Sequence, residues 1–216
     1  IFLMRDFFNG EIEIDDSSDL PAFTAIIPVY NEHHVLEKSV RSLRDLDHDL
    51  KIIVACEQDD KQTISKAREM SEDLDNVSFT VNTSQPGSKA GAINDAVKQI
   101  ENKVFGVFDV DEEINPGFVT RALAWIRDGQ EVVQGRAVPE PEGFFESLVF
   151  FEQYLAHLNF QLVYLLTGYR LAGSRTTIMK KSVWEKTGGY NDQVLTEDYH
   201  FSFKCYRKHI DVAPMM

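Results

Sequence analysis

The chain has 216 residues, 43% of them apolar, which is enough material for one domain with a sizeable buried core. Asp and Glu outnumber Lys and Arg by 35 to 22, so the formal net charge is −13. A surface of this sign repels phosphate backbones, and the composition therefore argues against nucleic-acid binding as the main task. Two cysteines are too few for a disulfide framework and favour a reducing compartment.

The ends of the sequence suggest a piece of a longer protein. Residue 1 is Ile, and residues 210–216 end on a strand-like run. Residues 1–21 include the acidic stretch Glu11–Asp19 and are interpreted as a lead-in or linker, with a packed edge strand or helix as the alternative. No apolar stretch reaches the ~20 residues that a membrane helix needs, so we expect any membrane span to lie outside these residues.

From residue 22 onward, short apolar runs alternate with stretches of helical spacing. The runs that predict strands are Phe23–Val29, Lys51–Cys56, Val77–Val81 and Val104–Val110. A helix is predicted after each of the first three strands, and the pair Asn115-Pro116 is typical of a further helix start. Strands that alternate with helices in this way indicate an α/β fold, with a mostly parallel twisted sheet and helices on both faces.

Polar loops follow the predicted strands, and in a parallel sheet such loops meet at one edge, where ligands bind. The fourth loop carries Asp109 and Asp111. On an extended segment, side chains two residues apart point to the same side, so these carboxylates would converge and repel each other. A divalent cation between them fits, with coordination sites left for a diphosphate. A solvated acidic turn is the alternative interpretation.

Two other loops at this edge carry candidate binding groups. Gly87–Gly91 opens a helix, where glycines permit close backbone approach to an anion and Lys89 adds a positive charge. A plain loop and helix start is the alternative. Glu57, Asp59 and Asp60 offer hydrogen-bond acceptors to a base or ribose, although capping of the next helix is the favoured task of Asp60.

Thr196, Glu197 and Asp198 open a further predicted helix. Two carboxylates in the first turn of a helix interact favourably with the helix dipole. This structural interpretation assigns them no catalytic role. The alternative is that one of the two projects into the cleft as a general base.

An apolar stripe at helical spacing runs through residues 144–169. Core packing or intramolecular docking is the favoured interpretation, and an interfacial helix on a bilayer is the alternative. The stretch contains neither Lys nor Arg before Arg170, which argues against strong attraction to anionic lipid.

Taken in chain order, six segments resemble the family 2 glycosyltransferases, which have the GT-A fold. The segments are Ile27-Pro28-Val29-Tyr30-Asn31-Glu32, Pro86-Gly87-Ser88-Lys89-Ala90-Gly91-Ala92-Ile93-Asn94, Asp109-Val110-Asp111, Gly173-Ser174, Gly188-Gly189-Tyr190 and Thr196-Glu197-Asp198. The Thr-Glu-Asp form is most similar to the membrane-bound branch that includes cellulose and hyaluronan synthases. The Gln-x-x-Arg-Trp motif of that branch does not occur in the 216 residues, and we attribute its absence to truncation.

The resemblance implies a donor site in the first half of the domain. The residues that it places around the nucleotide and its sugar are Pro28, Tyr30, Glu32, Glu57, Asp59, Lys89, Asn94 and Asp109. Among these, Glu57 and Asp59 would read the base and ribose, and Lys89 would neutralise the diphosphate. Asp111, together with Asp109, would hold Mg²⁺ or Mn²⁺.

The resemblance also implies the arrangement of the whole domain, residues 22–216. Residues 22–115 would form the nucleotide-binding half, and residues 116–216 the acceptor and catalytic half. Asp198 would be the general base that deprotonates the acceptor hydroxyl, with Glu197 supporting it. Gly173 and Ser174 would border the acceptor site.

The expected activity is an inverting, metal-dependent sugar transfer from a nucleotide-diphospho-sugar. UDP-Glc and UDP-GlcNAc are the leading donors, with GDP-mannose left open, and the acceptor is a glycan or a lipid-linked hydroxyl. We expect the protein at the cytoplasmic face of the cell membrane, associated with it through segments outside these residues. Two alternatives stay open: a sugar-phosphate nucleotidylyltransferase, and a non-catalytic domain that binds nucleotide-sugars.

Overall fold

The computed structural model of this protein describes residues 19–46, 50–84, 87–112, 114, 116–135, 143–173 and 176–214. The strands within them are β1 (Phe23–Val29), β2 (Leu50–Cys56), β3 (Val77–Val81), β4 (Val104–Val107), β5 (Val132–Gln134), β6 (Thr177–Lys180) and β7 (Val212–Pro214). They form one sheet in the order β3-β2-β1-β4-β6-β5-β7. β6 is antiparallel to both of its neighbours, and the other pairs are parallel. The predicted α/β fold with a mostly parallel sheet is confirmed.

Helices cover both faces of this sheet. They are α1 (His33–Arg44), α2 (Lys61–Asp73), α3 (Lys89–Val97), α4 (Pro116–Arg127), α5 (Phe144–Thr167), α6 (Lys181–Thr187) and α7 (Glu197–Arg207). Ala25 and Ile27 belong to one apolar core together with α1, α2 and α4, whereas Ile26 belongs to a second core with α3, α6 and α7. Because successive strand residues point to opposite faces, the fully buried β1 contributes to both cores.

The fourth strand is shorter than the predicted Val104–Val110. It ends at Val107, where its pairing with β6 stops, and the chain then turns so that the Glu112 amide donates to the Asp109 carbonyl at 3.2 Å. The argument that an extended strand aligns Asp109 with Asp111 is therefore wrong. Both residues nevertheless line one cavity, together with the buried Val110 between them.

The long apolar stretch forms a helix, α5, but the prediction that it packs in the core is wrong. Large apolar side chains all around the helix are exposed, including Phe145 at 77% and Leu166 at 76%. The apolar residues exceed a single stripe, so no one face of the helix can bury them all. Among the described residues, no helix combines the length and the apolar character that crossing a membrane requires.

The predicted lead-in, residues 1–21, lies outside the described residues apart from 19–21. Asn115, the predicted cap of α4, also lies outside them, whereas Pro116 is the first residue of that helix as predicted. The division of the domain into a donor half and an acceptor half stays a prediction.

The exposure of α5 leads to a paired mutational prediction. Leu123→Ala in α4 removes a fully buried side chain and is expected to lower the free energy of unfolding by about 2–5 kcal/mol. Leu166→Ala in α5 removes an exposed one and is expected to change that free energy by less than about 0.5 kcal/mol. Urea denaturation followed by circular dichroism measures both. A loss above about 1 kcal/mol at Leu166 would show that α5 is packed after all.

Candidate active site

A cavity of about 320 Å³ lies at the carboxyl edge of the sheet, where β1, β2 and β4 end and α3 begins. Its lining residues are Pro28, Val29, Tyr30, Glu32, Ala55, Glu57, Gly87, Lys89, Ala92, Asp109, Val110 and Asp111. The volume is within the range of small-molecule sites. The loops after β1, β2, β3 and β4 therefore come together as parallel-sheet topology requires.

The charged residues of this cavity are arranged around Lys89. Its ammonium Nζ lies 2.5 Å from Asp109 Oδ1, and the Asp109 side chain is partly buried while Asp111 is exposed. Lys89 is at the first position of α3, so the helix start aims its side chain across the cavity at the loop after β4. The described lining thus includes one cation and four carboxylates, those of Glu32, Glu57, Asp109 and Asp111.

The carboxylates of Asp109 and Asp111 are compatible with a divalent cation. Both offer hard oxygen ligands to the same cavity. Within the described ranges, no group of three or more His, Cys, Asp or Glu side chains is close enough together to hold a metal by itself. Two carboxylates suffice when substrate phosphates and water complete the coordination, which is the usual arrangement for Mg²⁺. The residues present therefore fit a Mg²⁺ or Mn²⁺ ion that binds together with a diphosphate.

Glu57 is buried at the end of β2, with 3% of its surface exposed. Its carboxylate accepts hydrogen bonds from the Asn82 amide at 2.9 and 3.1 Å and from the Gly87 N–H at 2.8 Å. These contacts tie β2 to the glycine loop that leads into Lys89. Its predicted role in reading the nucleotide stays a prediction. The sequence reasoning did not single out Asn82, although a polar residue directly after β3 is the signal that could have found it.

Asp60 caps α2, as the sequence interpretation favoured. It accepts a hydrogen bond from the Thr63 N–H at 3.0 Å and another from the Thr63 hydroxyl. It also accepts one from the Asn31 N–H at 2.6 Å, which fixes the loop after β1 beside the cavity. Asp59 accepts a hydrogen bond from the Tyr30 hydroxyl at 3.3 Å, and it is not among the described residues that line the cavity.

Asn94 has a place that the sequence did not predict. Its side-chain amide donates to the Tyr190 carbonyl at 3.0 Å and accepts from the Tyr190 N–H at 3.1 Å. These contacts join α3 to the loop after α6. Asn94 is not among the described residues that line the cavity. The predicted position of Asn94 beside a diphosphate stays a prediction.

Gly173, which is predicted to border the acceptor, is held by two hydrogen bonds. Its N–H donates to Gln134 Oε1 at 3.0 Å, its carbonyl accepts from the Tyr190 hydroxyl at 2.8 Å, and its φ of +81° is a left-handed conformation that favours glycine. The preceding Ala172 N–H donates to the Ser202 hydroxyl of α7 at 2.7 Å. Ser174, the other predicted acceptor residue, lies outside the described residues.

Glu197 and Asp198 occupy the first turn of α7, behind Thr196 at the cap position. Burial raises the pKa of the Tyr190 hydroxyl well above its ordinary value, and the carboxylates of Glu197, Asp198 and Asp109 raise it further. All three carboxylates therefore lie within electrostatic reach of one buried hydroxyl. The role of Asp198 as general base, with Glu197 supporting it, stays a prediction.

Asp95 in α3 is a further buried carboxylate that the sequence reasoning missed. It accepts hydrogen bonds from the N–H and the hydroxyl of Thr83 at 2.9 and 3.1 Å, and from those of Ser84 at 3.2 and 2.6 Å. Lys98 Nζ lies 2.7 Å away. Burial opposes ionisation of Asp95, but the hydrogen bonds from Lys98, Ser84 and Thr83 outweigh it and hold its pKa well below the ordinary value. Asp95 therefore anchors the loop after β3.

This lowered pKa predicts an acid-labile contribution to stability. Because the folded pKa of Asp95 lies below the unfolded value near ~4, its contribution is complete above pH ~4 and is lost as the pH falls toward the folded pKa. Asp95→Asn is expected to cost about 1–3 kcal/mol at pH 7, with a smaller difference from the unchanged protein at pH ~3. Urea midpoints at several pH values measure this. The exposed Asp73→Asn is the matched control, and a pH-independent cost at Asp95 would contradict the assignment.

Comparison with known families agrees with this geometry. Residues 21–215 match the model of the family described as "Glycosyltransferase like family 2". The match covers nearly all of the 216 residues, and the chain belongs to this family. The family that the sequence motifs predicted is confirmed, and the chain is a glycosyltransferase domain.

Two curated relatives are longer than this chain. A GalNAc(5)-diNAcBac-PP-undecaprenol beta-1,3-glucosyltransferase of Campylobacter jejuni is 26% identical over 125 residues, 57% of this chain and 40% of that protein. Glucomannan 4-beta-mannosyltransferase 7 of Arabidopsis thaliana is 24% identical over 218 residues, 92% of this chain and 39% of that protein. The chain therefore spans about two fifths of the length of these relatives.

A solved structure shows the same fold. Mannosyltransferase PcManGT from Pyrobaculum calidifontis, in complex with GDP-Man and Mn²⁺, aligns with a TM-score of 0.68 at 20% identity. The alignment covers 94% of this chain and 57% of that chain. The α/β architecture described above is thus the GT-A fold of glycosyltransferases.

Proposed function

We propose that this domain is an inverting, metal-dependent glycosyltransferase. It would move a sugar from a nucleotide-diphospho-sugar to a hydroxyl of a glycan or of a lipid-linked acceptor. The observation that carries the proposal is the joint placement of Lys89, Asp109 and Asp111 in one cavity.

The donor side of the mechanism follows from charge. A leaving nucleoside diphosphate develops negative charge as the bond to the sugar breaks, and the Lys89 ammonium in the cavity would stabilise that charge. Asp109 and Asp111 would hold Mg²⁺ or Mn²⁺, which when bound supplies further positive charge to the diphosphate. The hydrogen bonds of Glu57 to Asn82 and Gly87 keep the loop before Lys89 in place.

The acceptor side follows from the position of α7. Asp198 would accept the proton of the acceptor hydroxyl as the hydroxyl oxygen attacks the anomeric carbon from the face opposite the nucleotide, so the configuration at that carbon inverts. Glu197, one residue before it in the same turn, would support Asp198 through its charge. The segment at Gly173 would border the acceptor, because hydrogen bonds join it to α7.

The donor and the cellular setting are also part of the proposal. The nucleotide-sugars considered are UDP-Glc, UDP-GlcNAc and GDP-mannose, and the mannosyltransferase of similar fold is a GDP-Man complex. The glucomannan mannosyltransferase relative supports a β-glycan synthase-like branch, and the undecaprenol-linked name of the other relative supports a lipid-linked acceptor. We place the protein at the cytoplasmic face of the membrane, attached through segments outside these residues.

A donor screen tests the proposal. Thermal unfolding would be followed with each of the three nucleotide-sugars, with Mn²⁺ and with EDTA in its place. A ligand at 100-fold its dissociation constant adds about 2.7 kcal/mol of stability, or about 5–10 °C in Tm for a chain of this size. The expected result is one donor that raises Tm in the presence of Mn²⁺ only.

Product analysis then separates the alternatives. A transferase releases the nucleoside diphosphate and forms a new glycoside, whereas a nucleotidylyltransferase consumes a sugar phosphate and a nucleoside triphosphate. A binding domain shifts Tm and forms no product. If none of the three donors shifts Tm under any condition, the proposed function is wrong.

A further inference from the structure

Tyr190 lies at the centre of the second core, with 4% of its surface exposed. Its ring packs edge-on against Trp184, at 4.8 Å between centroids, and against Phe201 of α7, at 5.0 Å. Burial and nearby carboxylates raise the pKa of its hydroxyl. The hydroxyl is therefore neutral at physiological pH and is available as a hydrogen-bond donor.

The partner of this hydroxyl is the carbonyl of Gly173, 2.8 Å away. A Cβ atom at position 173 would lie 2.5 Å from the same hydroxyl, and the φ of +81° there also favours glycine. The close approach of the acceptor-side segment to Tyr190 thus depends on glycine at 173. The hydrogen bond is partly buried, so loss of its donor would leave the Gly173 carbonyl without this partner where access to water is limited.

The main chain of Tyr190 is held from a different direction. Its N–H and carbonyl pair with the side chain of Asn94, on the same helix whose first residue is Lys89. Residue 190 therefore contacts three parts of the site at once. Its main chain contacts the donor-side helix α3, its hydroxyl contacts the acceptor-side Gly173, and its ring contacts α7 close to Asp198.

We infer that Tyr190 is a positioning residue whose hydroxyl fixes Gly173, and with it the acceptor-side segment, against the first turn of α7 that carries Asp198. This inference rests on the proposed function and deepens it. The hydroxyl does not take part in the chemical step. It sets the distance between the acceptor and its base, and displacement of a reacting group by about 1 Å can cost as much as 10²-fold in rate.

Tyr190→Phe removes only the hydroxyl and keeps the ring that packs on Trp184 and Phe201. The protein would be assayed with its best donor and with mannotetraose, cellotetraose and an undecaprenyl-diphosphate-linked oligosaccharide as acceptors. We expect kcat/KM for the acceptor to fall about tenfold, from the loss of one partly buried hydrogen bond and the resulting misplacement. The donor Kd should stay within twofold, because the cavity residues are unchanged. Hydrogen exchange at residues 172–173 should become faster.

The matched control is Tyr206→Phe, which removes an exposed hydroxyl from α7. A purely structural role for the Tyr190 hydroxyl predicts a lower Tm and equal losses in donor binding and transfer. That result, or a Tyr190→Phe variant that behaves like Tyr206→Phe, would overturn the inference while leaving the proposed function intact. If the unchanged protein transfers sugar to none of the acceptors, the proposed function fails and the inference fails with it.

Discussion

Asp198→Asn is expected to lower the rate of sugar transfer by about 10²–10⁴-fold and to leave nucleotide affinity nearly unchanged. The amide keeps the size of the carboxylate but cannot accept the proton of the acceptor hydroxyl. Asp198 lies on α7, whereas the cavity residues come from the loops after β1, β2 and β4 and from the start of α3. The two effects should therefore separate, with kcat measured by product formation and nucleotide Kd by isothermal titration.

The control for this experiment is Glu185→Gln on α6, which neutralises an exposed carboxylate outside the site. It should retain full transfer activity and full nucleotide affinity. Equal losses of transfer and of nucleotide binding in Asp198→Asn would contradict the role of general base. They would indicate that the carboxylate contributes to the donor site or to the fold.

The second large effect is expected at Asp111. Asp111→Asn removes a charged oxygen ligand, so the Mn²⁺-dependent part of nucleoside diphosphate affinity should disappear. The rate of transfer should fall about 10²–10³-fold, since a bound metal contributes several kcal/mol of transition-state stabilisation. Titration of UDP and GDP with Mn²⁺ and with EDTA measures this directly. Stability should change little, because Asp111 is exposed.

Glu72→Gln on α2 is the matched control, since Glu72 is an exposed carboxylate distant from the cavity residues in the sequence. It should bind UDP or GDP as the unchanged protein does, with the same response to Mn²⁺. If Asp111→Asn also keeps that response, the assignment of Asp111 as a metal ligand is wrong. Lys89 would then be the remaining source of positive charge in the described cavity.

The sequence predicted the first strands of the sheet closely. The bounds of β1 and β3 agree with the predicted Phe23–Val29 and Val77–Val81 because each is a compact apolar run bordered by polar residues. The sequence also predicted that the loops lining the cavity lie close together, since parallel strands place their carboxyl ends at one edge of the sheet. The apolar pattern along the chain and the general topology of parallel sheets were sufficient to predict these features.

Features that depend on tertiary contacts were not predictable in the same way. β4 ends at Val107, where its pairing with both β1 and the antiparallel β6 stops, and no local signal marks that register. The contacts of Asn94 with Tyr190 join residues 96 positions apart in the sequence, so spacing along the chain could not reveal them. In the sequence, Asp95 has the context of an ordinary polar helix residue. Its role depends on hydrogen bonds from the loop after β3, which form only in the folded protein.

The exposed helix α5 has a practical consequence for the behaviour of the isolated chain. A helix of 24 residues is about 36 Å long, and apolar surface of that extent is larger than a well-behaved monomer usually shows to water. We expect the purified chain to self-associate as its concentration rises and to be dispersed by a mild non-ionic detergent. Light scattering with and without detergent would record this, and Leu→Gln replacements along α5 should reduce the association.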